Sequence, residues 1–147
     1  MEYIGLNEIM DEVRGKLEAS GLFRLVSKAA ITSVENLFAA IPELSVFPAA
    51  IVNCPPQNFP QPAAWRELAL EIILVDEFLP LSMEEKATSA CTLLDGVVEK
   101  FTGLQPGQTL RMNCGASLMI EDIMALAVDS QHTAWLVETR IISKIKA

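Results

Sequence analysis

The chain has 147 residues, 51% of them apolar, and a formal charge of −8 at pH 7; it is the length of one domain that buries about two-thirds of its unfolded surface without metals or disulfides. The negative balance disfavours non-specific adhesion to nucleic acid and to anionic lipid. The longest uncharged run, residues 44–65, contains Pro48, Pro55, Pro56, Pro60 and Pro62, which excludes a membrane-spanning helix there.

The start, Met1-Glu2-Tyr3-Ile4-Gly5, lacks the basic region and apolar block of a signal peptide, so a cytoplasmic protein is expected. Residues 7–19 read as a helix, because Leu6, Ile9, Met10, Val13 and Leu17 form one stripe, and Gly21 fits the position just past its end. Leu22 to Lys28 reads as a short strand, with Phe23 and Leu25 opposing Arg24. Thr32-Ser33-Val34-Glu35 forms a capping box that opens a helix carrying Val34, Leu37, Phe38 and Ile41 and stopping before Pro42. Phe47 to Asn53 is an apolar strand with its proline at the start, where a strand tolerates one. Cys54 to Pro62 holds four prolines in nine residues and must be a loop, either a stiff surface connector or a binding arm.

The best strand is residues 66–78, where Leu68, Leu70, Ile72 and Leu74 share one face and Glu67 and Glu71 the other. Leu79-Pro80-Leu81 breaks it. Ser82-Met83-Glu84-Glu85 is a second capping box, followed by a helix to Thr102 whose stripe is Ala87, Ala90, Cys91, Leu94, Val97, Val98 and Phe101, with Gly103 at its stop. Gln105 to Gln108 is a turn, and Thr109 to Ser117 fits no single pattern. Ile123 to Asp129 reads as a strand, although Met119 to Val128 fits a helix equally. Asp129 to His132 turns the chain into a last strand, Thr133 to Lys146, with Trp135, Val137, Thr139, Ile141 and Ile145 opposite Glu138, Arg140, Lys144 and Lys146. These elements make one α+β domain over residues 1–147: a mostly antiparallel sheet of about four to five strands, covered on one face by two main helices.

No motif carries catalysis. Cys54, Cys91 and Cys114 are odd in number and lack C-x-x-C spacing, and the only histidine, His132, gives them no second soft ligand nearby, which argues against structural zinc and for buried thiols acting as small hydrophobes. The adjacent acids Asp76-Glu77 point to opposite sides of a strand, Glu84-Glu85 belong to a helix start, and Glu121-Asp122 read as a solvated loop or strand end. His132 beside Ser130 and Thr133 lacks a triad signature, and the scattered glycines match neither a dinucleotide fingerprint nor a P-loop. Catalytic, cofactor-binding and metal-ligating residues are accordingly none.

With its amphipathic first helix, Phe47-to-Val52 strand start, long strand 66–78, capped helix 82–102 and closing strand, the chain resembles the tail terminator (tail completion) proteins of bacteriophages and prophages. The resemblance covers most of the chain and rests on element order and strand texture. It implies a structural protein without activity. Such a protein forms a ring, typically hexameric, that caps the tail tube and docks onto the head-tail connector, in the host cytoplasm during assembly and then in the virion tail. The implied partners are itself, the tail-tube protein and the connector, with neither a specific nucleic acid nor a membrane. A ring larger than a dimer needs two unlike complementary surfaces. The sequence offers the basic closing strand with Arg140, Lys144 and Lys146, and the acidic middle with Glu67, Glu71, Asp76 and Glu77. Two other readings stay open: a small-molecule-binding or enzymatic α+β domain, and a bacterial adaptor subunit.

Overall fold

The structure, a computed structural model, describes residues 4–57, 65–77, 82–102, 110–126 and 132–144. In chain order the elements are α1 (Leu6–Ala19), β1 (Leu25–Ala29), α2 (Val34–Ala40) with a 3-10 turn at Ile41–Glu43, β2 (Ala49–Asn53), β3 (Trp65–Glu77), α3 (Met83–Thr102), β4 (Leu110–Arg111), β5 (Ser117–Leu126) and β6 (His132–Lys144). The fold is α+β: among the described residues it has three helices and one six-stranded, mixed, mostly antiparallel sheet curled into a half-barrel. Strand order is β1-β2-β3-β6-β5-β4, and the β1–β2 pair is the parallel one.

The two long strands lie side by side at the centre of the sheet, paired antiparallel from Trp65↔Lys144 to Glu77↔His132. Strict alternation along β3 divides the core. Leu68, Leu70, Ile72 and Leu74 join Ile9, Met10, Val13 and Leu17 of α1 and Val97 and Phe101 of α3 in the main cluster. The residues between them, Ile73 and Val75, face the other way and pack with Leu37, Ile41, Ile51, Ala134 and Leu136. Both faces are thus buried at one end of the sheet, because α2 and its 3-10 turn cover the second face there. That corrects the expectation of a sheet covered on one face, and the strand count is six rather than four to five.

Local signals explain most boundaries. Gly21, at φ +72°, takes the left-handed conformation that turns the chain after α1. At the start of α3 the Ser82 hydroxyl accepts the Glu85 N–H at 3.2 Å, as a capping box requires. The other box is out of register by one: Ser33, not Thr32, caps α2, accepting the Asn36 N–H at 3.2 Å. That shift leaves Val34 at the first helical position and 63% exposed, not in the core. On α3 Val97 and Phe101 of the expected stripe are buried in the main cluster and Leu94 packs against it; Leu93, outside the stripe, is also buried, while Ala87 and Cys91, both expected in the stripe, are exposed.

After β2, Pro55 and Pro56 have no N–H to continue the ladder with β3. The side-chain amide of Gln57 substitutes for it, donating to the Ala69 carbonyl at 2.8 Å and accepting the Ala69 N–H at 2.9 Å. The rest of the proline-rich loop, the turn at Gln105–Gln108, Gly103 and residues 127–131 lie outside the described residues.

The largest correction concerns β5. The strand expected over 123–129 begins at Ser117 and carries a bulge: Ile120 pairs with Thr139 and Asp122 with Glu138, leaving Glu121 without a partner residue on β6. Glu121-Asp122 is therefore mid-strand, neither a loop nor a strand end. A bulge inserts one residue and reverses the parity of the residues beyond it. Leu118, Ile120 and Ile123 all reach the main cluster, and the three-residue step from Ile120 to Ile123 is the spacing that mimics a helix. His132, expected in a turn, is the first residue of β6 and is buried; its ring packs against Phe47 with centroids 5.3 Å apart.

Candidate interaction surface

On β3 and β6 the residues that alternate with the main cluster point to the sheet's outer face. Beyond the part that α2 covers, this face presents Glu67 and Glu71 from β3, Glu138 and Arg140 from β6, and Glu121 and Asp122 at the β5 bulge. Register places Glu71 opposite Glu138, Arg140 opposite Ala69 and Glu67 opposite Ile142, while Asp122 flanks Glu138 from the other side. The result is a carboxylate patch with one guanidinium in it.

Three features set its electrostatics. Arg140 is ion-paired with Glu121, so the bulge that displaces Glu121 from the ladder also brings it to its cation. Glu71 accepts from the Asn53 side-chain amide at 2.9 Å. Asn53 is 1% exposed and meets its remaining needs at the Ile31 backbone, accepting its N–H at 2.7 Å and donating to its carbonyl at 3.0 Å. Glu138 has its carboxyl pushed above the usual range, first by burial and then by the negative charges of Asp122, Glu71 and Glu121.

The residues expected to form two opposed surfaces are distributed differently. Glu67, Glu71 and Arg140 share one patch. Asp76 points to the α3 side, accepting the Ser89 hydroxyl at 2.8 Å and the Glu77 N–H at 2.9 Å. Glu77 is exposed at the end of β3. Lys144 closes β6 opposite Trp65; its side chain and all of Lys146 lie outside the described residues. The basic and acidic strands are thus direct neighbours within one chain.

Elsewhere, Cys54 and Cys114 are half-buried and Cys91 is exposed, all as free thiols. Burial is the main cause raising the Cys114 thiol above its ordinary value. Among the described residues no group of His, Cys, Asp or Glu is arranged to hold a metal ion, and no helix is long and apolar enough to cross a membrane. An open groove of about 580 Å³ runs between the start of α1 and the end of β1, lined by Leu6, Met10, Lys28, Ala29, Ala30 and Cys54.

Sequence reasoning missed Asn53, Gln57 and Glu12. The Glu12 carboxylate of α1 accepts the N–H groups of Asn113 and Cys114, each at 2.8 Å, and so holds the β4–β5 turn. The signal for Gln57 was present, an amide directly after two prolines at a strand end. Glu12 gave none, since its partners lie about a hundred residues away. In comparison with known proteins, no protein-family model matches the chain, and no curated protein matches it.

Proposed function

We propose that the chain is a structural assembly subunit of the tail terminator type, forming a ring that caps a phage or prophage tail tube and joins it to the head-tail connector. The observation that carries the reading is the element order: an amphipathic first helix, a long central strand, a long capped helix on the same face as the first, and a long closing strand beside the central one. The acidic outer face is consistent with it. A lumen poor in lysine and arginine neutralises few phosphates and would hold a passing duplex weakly.

Subunits would meet through unlike surfaces, with Lys144 among the contacts and Arg140 joining them only by sharing or exchanging its pairing with Glu121. The test is mass in solution, alone and with tube protein, for the wild type and for the double variant Arg140→Glu, Lys144→Glu. The reading expects a closed oligomer, alone or on the tube, that the charge reversal weakens at low salt. A wild type that stays monomeric in both settings contradicts the ring, and an unchanged assembly in the variant contradicts these contacts. A second reading, a small-molecule-binding domain, draws on the groove beside β1. The cation lining that groove, Lys28, is paired with Asp11 at 2.6 Å, which leaves less charge for a ligand.

A further inference from the structure

Near the end of β3 that α3 covers, a small, partly open space lies between the two central strands and the helix. Its volume is about 10 Å³, and Leu74, Asp76, Ser89, Leu93, Thr133 and Trp135 are among its walls. Two polar atoms there, the Trp135 Nε1 and the Thr133 Oγ1, are buried without a hydrogen-bond partner among the described residues. Both belong to residues whose cross-strand neighbours also line the space: Thr133 stands opposite Asp76 and Trp135 opposite Leu74. An indole N–H only donates, and a hydroxyl both donates and accepts. Asp76 takes the Ser89 hydroxyl and the Glu77 N–H, which occupies two of the roughly four acceptor sites of a carboxylate.

We infer that this space is a binding site for a single water molecule, held between Trp135, Thr133 and Asp76. The volume is about that needed for one water and too small for any larger ligand. One water meets the needs of both unpartnered atoms: it accepts from the Trp135 indole, donates to the Asp76 carboxylate, and uses its second proton or lone pair at the Thr133 hydroxyl. Buried polar atoms of native proteins are seldom left without partners; Leu74 and Leu93 form the apolar walls of the space, and Glu77 and Lys86 also line it. The site makes Asp76 part of an internal network linking β3, β6 and α3, which removes it from the set of charges available to a partner. This inference stands apart from the tail-terminator reading.

The test is nuclear magnetic resonance of the free protein. The chain has two tryptophans, so the Trp135 indole proton is assigned by its loss in Trp135→Phe. It is expected to show a cross peak at the water frequency with the sign of a water that tumbles with the protein. Exchange relayed through the Thr133 hydroxyl is separated from direct contact by a high-resolution crystal structure, in which one ordered water should lie within hydrogen-bonding distance of the Trp135 Nε1, the Thr133 hydroxyl and the Asp76 carboxylate. A cross peak with the sign of bulk contact, no cross peak, or a space without an ordered water overturns the inference.

Discussion

β3 and β5 flank the same strand, β6, and obey different rules. β3 alternates without interruption through its thirteen paired residues, so each side chain's face follows from its number, and the strand serves two clusters at once. β5 alternates up to Ile120, spends Glu121 on a bulge, and resumes with the opposite parity. A strand's legibility therefore depends on unbroken parity more than on its apolar content. β5 is the more exposed strand, and the bulge costs it little because few of its side chains must reach a fixed face.

The largest expected effect lies in β3. Ile72 is fully buried in the main cluster, and Ile72→Ala should destabilise by about 2 to 5 kcal/mol in a denaturant titration. Met124 on β5 is 38% exposed, and a cost for Met124→Ala matching that of Ile72→Ala would erase the contrast between the strands. Next comes the anchor of the β5 hairpin. Glu12→Ala removes a charged acceptor from two N–H groups, so it should cost an amount at the lower end of about 1.5 to 3 kcal/mol and speed hydrogen exchange at Asn113 and Cys114. Unchanged exchange there would mean that β5 is positioned by its own pairing alone.

A smaller effect concerns the patch between the two strands. Because the folded carboxyl of Glu138 titrates above its ordinary range, the folded state binds that proton more readily than the unfolded state, and stability falls as pH rises through that window. Glu138→Gln removes the penalty. The variant should melt higher than wild type at pH 7, and the gain should fade as pH drops below the ordinary carboxylate range; a gain independent of pH would assign it to something other than charge. The smallest effect is Cys91→Ser on α3, expected within about 0.5 kcal/mol since the side chain is exposed.

The legible parts were those with a local cause. The stripe of α1, the Ser82 cap, the main-cluster face of β3 and the face of β6 follow from side-chain period and capping chemistry. The second cluster was not legible, because Ile73 and Val75 look like the polar side of an amphipathic strand until α2 is known to lie over them. α3 was legible in its second half, where Leu94, Val97 and Phe101 of the expected stripe reach the main cluster, and misled in its first half, where Ala87 and Cys91 continue the stripe but are exposed and Leu93, outside it, is buried. Of the candidate surface, the residues could be named but not arranged. That Arg140 would pair with Glu121, and that the basic and acidic strands would be neighbours, depends on a strand order that no local pattern encodes.

The most direct test is a pair of single-residue deletions compared by denaturant unfolding. Removing Glu121 takes out a residue with no partner on β6 and leaves Ile120↔Thr139 and Asp122↔Glu138 as they are, so the variant should unfold cooperatively within about 1 kcal/mol of wild type, the scale of one exposed ion pair. Removing Glu71 reverses the faces of β3 on one side of the gap and sends either Leu68 and Leu70 or Ile72 to Val75 the wrong way, so no cooperative transition should remain. Equal damage from both deletions, or a β3 deletion that folds, would contradict this division of roles between the two strands.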